Sequence, residues 1–153
     1  MKKVFLGVVI IVFAVFLFSV SVKAEVAVTG IWKTVADEGP NKGKDTSHVE
    51  IFEKNGVYFG KITKLLTKPQ DTICDKCVGD LKNKPVVGLV NLQDMKKTGS
   101  VDDELGTEYA GGTIMDPNSG KTYKCKMWAK DNVLSVRGYI AFIYRTQKWF
   151  RVK

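Results

Sequence analysis

From Gly30 onward, turn-forming residues return at short intervals, and the segments between them are rich in Val, Ile, Tyr, Phe and Thr. That rhythm belongs to antiparallel β-structure, where strands of about five to ten residues are joined by hairpin turns. Helical periodicity is nearly absent, so helix bundles and alternating α/β folds are disfavoured. The pattern predicts strands near residues 30–35, 47–53, 57–65, 86–92, 109–115, 121–129, 133–140 and 143–152. Several turns are legible. Asn55-Gly56 suits a tight hairpin because both positions tolerate positive φ. Asp116-Pro117-Asn118-Ser119-Gly120 breaks the ladder, and Asp131-Asn132 makes another short reversal.

Two longer connections interrupt the series. Residues 66–85 carry Cys74-x-x-Cys77 together with Pro69 and Pro85, which keep this stretch out of a sheet. The stretch from Lys96 to Glu108 contains Asp102, Asp103 and Glu104, adjacent acids that repel one another and prefer water. It is expected to be a solvated surface loop. Eight strands in one open sheet would expose two edges, and closing the sheet removes them. The expected architecture is therefore an all-β, antiparallel up-and-down barrel of about eight strands. An interior of that size is filled by side chains or holds one small ligand.

The chain has 153 residues, and its first 24 have the features of an export signal: Lys2 and Lys3, an apolar run from Val4 to Val20, and Ala24 before the expected cut. An uncleaved anchor is the competing reading, since this run is at the short edge of what spans a bilayer. Cleavage leaves residues 25–153 as a single domain with no stable membrane span. A periplasmic or secreted location follows. Of the net charge of +8, three positive charges lie in the leader, and the rest are dispersed without a basic run. A nucleic-acid partner is thereby disfavoured. Export makes a local disulfide between Cys74 and Cys77 the favoured reading. The βαβ setting of a redox pair is missing, and His48 with Cys125 does not complete a structural zinc pattern. No metal or other cofactor is expected.

The final strand raises the functional question. Alternation places Ile143, Arg145, Gln147, Trp149 and Arg151 on one face and Tyr144, Thr146, Lys148, Phe150 and Val152 on the other. One assembly turns Arg145, Gln147 and Trp149 inward, joined by Arg137 and Tyr139 from the neighbouring strand. Buried guanidinium groups then need an acid such as Glu50, a backbone carbonyl or an anionic ligand. The other assembly lays the arginines over aromatic rings on the outside. Both remain open at this point. At the other end of the chain, Gly30-Ile31-Trp32 opens the first strand as G-x-W, which resembles the start of lipocalins; that resemblance implies a tryptophan closing one end of the barrel with Arg151 or Arg145 lying across it.

Common catalytic constellations are missing. The single histidine, His48, has no G-x-S-x-G turn to serve. Nothing brings Glu50 and Asp116 together as a carboxylate pair, and there is no glycine-rich phosphate loop. The expectation is a protein that is not an enzyme.

The ordered set of motifs resembles an exported bacterial family, domain of unknown function 2147. It comprises Gly30-x-Trp32, HVEIFEKNGVYFGKITKL at 48–65, CDKCVGDLKNKPVVGL at 74–89, GGTIMDPNSGKTYKCK at 111–126, LSVRGYIA at 134–141 and RTQKW at 145–149. Between Ile140 and Arg145 this chain has AFIY, a shorter connection than that family's. The resemblance implies a small lipocalin- or calycin-like barrel without an established activity. The expected function is the binding of a small amphipathic or anionic molecule, with Trp32, Glu50, Arg137, Tyr139, Arg145, Gln147 and Trp149 as candidate site residues. The alternative is an envelope module with a filled barrel that acts on proteins or anionic polymers through its basic surface and the 66–85 loop.

Overall fold

The structure, a computed structural model, describes residues 26–152; the expected signal lies outside them. Eight strands follow one another: β1 (Gly30–Val35), β2 (Asp45–Lys54), β3 (Val57–Leu65), β4 (Val90–Asp102), β5 (Gly106–Asp116), β6 (Lys121–Lys130), β7 (Val133–Ile140) and β8 (Ile143–Arg151). Every strand is antiparallel to the next, and β1 pairs with β8, so the sheet is a closed barrel in sequence order. The only helix among the described residues is a 3-10 turn at Gly79–Leu81.

Period-two alternation makes the inside. Trp32 and Thr34 of β1, Val49 and Ile51 of β2, Ile62 of β3, Leu92 and Met95 of β4, Tyr109 of β5, Cys125 and Met127 of β6, Leu134 and Val136 of β7 and Trp149 of β8 are all buried. Burying an apolar side chain of this kind contributes about 1.5–3 kcal/mol, so these residues hold the sheet closed. The hairpin between β2 and β3 turns at Asn55 (φ 55°) and Gly56 (φ 76°), as the dipeptide predicts.

Two sequence expectations change. The strand expected at 86–92 begins only at Val90, and Val86 and Leu89 are buried by the loop's own folding onto the barrel. Apolar residues buried in a loop look the same in sequence as a strand. The polar stretch 96–108 is not a free loop. Its two halves continue β4 and β5 as a projecting hairpin, with Val101 opposite Thr107 and Asp102 opposite Gly106. The acids fall at the turn, where the Asp102 carboxylate accepts from the backbone N–H groups of Glu104 and Leu105 at 2.9 Å. Residues 96–102 of β4 are exposed on both faces and lack the apolar alternation by which strands are recognised, whereas Gly106 and Thr107 of β5 are buried against β6.

Alternating hairpins divide the connections between two ends. One end, the mouth, carries the loops β1–β2, β3–β4, β5–β6 and β7–β8. The β3–β4 loop is braced by the Cys74–Cys77 disulfide, with Cα atoms 5.3 Å apart. It docks against the β5–β6 turn at Gly120 (φ 70°), where a Cβ would stand 1.9 Å from the Lys76 carbonyl oxygen. The D-P-N-S-G-K run thus has its glycine where the two loops touch.

Candidate functional site: a cavity with one sealed end

The end opposite the mouth is closed from the first strand. Trp32 is fully buried and donates from Nε1 to the Val28 carbonyl at 2.8 Å. The Arg151 guanidinium lies 4.2 Å from the centre of the Trp32 ring. It donates to the main-chain carbonyls of Thr29, at 3.0 Å, and Ala27. A cation over an aromatic face that also satisfies main-chain acceptors is a stable plug. Of the two arginines considered for this position, it is Arg151 that fills it.

Above this floor a cavity of about 830 Å³ opens at the mouth. Val49, Ile62, Leu65, Ile114, Val136 and Trp149 give it apolar walls. Its polar lining centres on Thr34, whose hydroxyl is 2.7 Å from that of Thr46 and 2.8 Å from that of Ser47. Asn91 also lines it. The Asn91 Nδ2 donates to the Met115 carbonyl at 3.3 Å, while its buried Oδ1 meets no donor among the described residues.

The inner row of β8 supplies the remaining polar wall. Trp149 donates from Nε1 to Gln147 Oε1 at 3.2 Å, and Gln147 donates from Nε2 to Asp37 at 3.0 Å. Arg145, at the lip, pairs with Asp37 through two nitrogens and with Glu38 through a third. The Arg145 hydrogen bond holds the Asp37 carboxyl below the usual carboxylate range against the opposing effect of its partial burial, and Asp37 in turn raises Arg145. The β1–β2 loop is thereby strapped to the last strand. Asp37 and Glu38 lie outside any strand and follow no periodicity, so sequence reasoning missed them.

Of the predicted site residues, Gln147 and Trp149 face the interior, Trp32 lies in its floor, and Arg145, on the same row of β8, stands half-exposed at the lip. Arg137, Tyr139 and Glu50 do not. The β7–β8 register pairs Val136 with Gln147 and Arg137 with Thr146, so the inner row of β7 is Leu134, Val136 and Gly138. Arg137 is outside, 5.0 Å from the Trp128 ring and 4.4 Å from the Tyr144 ring, and donates to Thr146 Oγ1 at 2.7 Å. Tyr139 packs beside Tyr144 on that same outer face. Glu50 is the outward neighbour of Val49 and Ile51 and pairs with Lys61 at 3.0 Å. Arg137 thus lies over aromatic rings on the outside, whereas Arg145 follows the inner row of β8 but stands at the exposed lip and is not buried. The partners of Arg145 are Asp37 and Glu38, not Glu50.

Cys125 is unpaired and buried, and desolvation pushes its thiol up to about 12, which keeps it protonated. His48 does not line the cavity. Among the described residues no group of three His, Cys, Asp or Glu could hold a metal ion, and no helix is long and apolar enough to cross a membrane.

A closed eight-stranded up-and-down barrel with one end plugged by tryptophan and arginine and the other open is a lipocalin-like barrel. The chain belongs to the family described as uncharacterized protein conserved in bacteria (DUF2147), whose model matches residues 30–151. Among solved structures, the chain is similar to protein HP1028 from the human pathogen Helicobacter pylori, described as belonging to the lipocalin family. Identity is 24%, the TM-score is 0.69, and 84% of each chain is covered. That likeness concerns the fold. No curated protein matches the sequence.

Proposed function

We propose that this protein is a non-catalytic, exported container for a small amphipathic molecule. The observation that carries this reading is the cavity of about 830 Å³, within the range of small-molecule sites, which are apolar with a few placed polar groups. The Cys74–Cys77 disulfide and the leader-like sequence support an exported location. An apolar tail fits against Val49, Ile62, Val136 and Trp149, and a polar head fits against Thr34, Ser47, Gln147 and the free Asn91 acceptor. A neutral head is favoured over an anionic one. Arg145 is already neutralised by Asp37 and Glu38, and an acid would have to displace one of them. A cavity of this size is not what a filled barrel working only through its surface requires.

The test is titration with an uncharged fluorescent probe, N-phenyl-1-naphthylamine, followed by displacement with alcohols and acids of equal chain length. Gly138 lies on the inner row, and a Cβ there meets Tyr123 at an ordinary 3.4 Å. Gly138→Leu should therefore fill the cavity without breaking the sheet and weaken probe binding about tenfold or more. A wild-type protein that takes up no probe, or a Gly138→Leu variant that binds as well as wild type, refutes the container.

A further inference from the structure

The β7–β8 turn departs from good turn chemistry. Tight hairpins need positive φ at their centre and favour Asn and Gly; the β2–β3 turn obeys with Asn55-Gly56. Between β7 and β8 stand Ala141 and Phe142, with Ala141 held at φ 52°. Left-handed backbone is unfavourable for alanine, and the strain accompanies an exposed apolar tip. Phe142 is 90% exposed, Ile143 66%, Tyr144 57% and Ile140 56%. Ile140, Ile143, Tyr144 and the exposed Ile73 all border the cavity's opening. Nothing in the barrel is stabilised by leaving these side chains in water. Strain combined with a contiguous exposed apolar group marks an interaction site.

Charge indicates the partner. The mouth loops present exposed Lys42, Lys44, Lys68, Lys76, Lys82 and Lys84. None of them is ion-paired with a carboxylate among the described residues. Asp71, Asp75 and Asp80 share the β3–β4 loop but are fewer, while Asp37 and Glu38 are occupied by Arg145. The opposite pole carries the exposed run Asp102, Asp103 and Glu104, with Lys130 donating to the Asp103 carbonyl and Lys54 on the neighbouring hairpin. Lys68 and Lys76 line the same opening as Ile140, Ile143 and Tyr144, and a mouth where unpaired lysines outnumber unpaired acids, opposite a turn with three adjacent acids, makes an orienting arrangement. Anionic headgroups attract the lysines and repel the acids, and the apolar tip enters the boundary between headgroups and acyl chains. From this geometry we infer that the mouth docks on an anionic lipid surface, with Phe142 and Ile143 inserted and the lysines over the headgroups.

The test is co-sedimentation of the protein with vesicles of phosphatidylcholine alone and of phosphatidylcholine with about 30% phosphatidylglycerol, at low and high salt. Binding is expected only to the anionic vesicles and should fall with salt. Phe142→Ser with Ile143→Ser should weaken it about tenfold or more, since partition scales with inserted apolar area. Lys42→Glu with Lys68→Glu and Lys76→Glu should abolish it. Val101→Ser, an exposed apolar change at the acidic pole, should leave it unaltered. All these side chains are exposed, so near-wild-type circular dichroism is expected throughout, and Phe142→Ser alone, which lies off the cavity lining, should keep N-phenyl-1-naphthylamine uptake while losing vesicle binding. Probe uptake also separates failure of docking from failure of the container reading. Three results overturn the proposal: no sedimentation with anionic vesicles, equal loss with Val101→Ser, or a self-association that Phe142→Ser removes without any vesicle binding.

Discussion

The last strand places an arginine at each end of the barrel, and the two are held in opposite ways. Arg151 rests on the Trp32 ring and donates to main-chain carbonyls. Arg145, six residues earlier on the same face, is gripped by two carboxylates on a loop. The floor's partners cannot be protonated away, and the Trp32 ring under the guanidinium is fully buried. The mouth's partners titrate, and half-exposed ion pairs weaken with salt. A barrel fastened at both ends by carbonyls could not open, and one fastened at both ends by carboxylates would have no fixed base.

This contrast can be broken by mutation, most strongly at the floor. Trp32→Ala should destabilise the protein by about 3–5 kcal/mol, the range for removing a fully buried aromatic side chain, read from urea unfolding. Arg151→Ala should cost about 2 kcal/mol through the lost cation–π contact and the orphaned carbonyls. A loss near zero there would mean that the floor closes without it.

At the mouth the effects should be smaller and conditional. Arg145→Ala should cost no more than about 1 kcal/mol and speed hydrogen exchange in residues 36–44, with little change in the core strands. Acid sharpens the comparison. The folded-state pKa of Asp37 lies below its unfolded value, so its ion pair contributes stability that is fully present above the unfolded value. That contribution is lost as pH falls through the depressed one, below about pH 4. Asp37→Asn should remove this part of the acid dependence and leave that of the floor variants unchanged. Identical acid profiles for Asp37→Asn and wild type would show that Asp37 does not govern the strap.

Much of the barrel could be read in advance because its signals are local. Asn55-Gly56, Asp131-Asn132 and the alternation of β6 to β8 each specify their own segment, and the closing tryptophan shows in Gly30-x-Trp32. The 66–85 loop and its disulfide were legible from prolines and cysteines. The errors arose where a side chain's neighbours come from distant sequence. Arg137 and Arg145 both sit in aromatic, β-branched strands, and only the pairing of Val136 with Gln147 decides which one faces in. Asp37 meets Arg145 across more than a hundred residues, from a loop with no pattern of its own. The end of β4 was missed because both faces of residues 96–102 meet water, so polar residues occupy positions that a core-facing strand would fill with apolar ones, and the start of β5 was missed because its buried positions are Gly106 and Thr107.

The seam of the barrel has a further consequence. β1 and β8 pair through Trp32 opposite Arg151, Lys33 opposite Phe150 and Thr34 opposite Trp149, with Val152 donating to the Ile31 carbonyl at 2.9 Å just beyond, whereas β7 and β8 pair from Val133–Phe150 to Ile140–Ile143. A ladder as short as that between β3 and β4 therefore links the first strand to the last, and it contains both residues of the plug. Such closure is the most non-local event in the fold, which slows it. A chain without β8 would keep its earlier hairpins and still be an open ribbon with two adhesive margins, so the enclosed space exists only once β8 has reached β1.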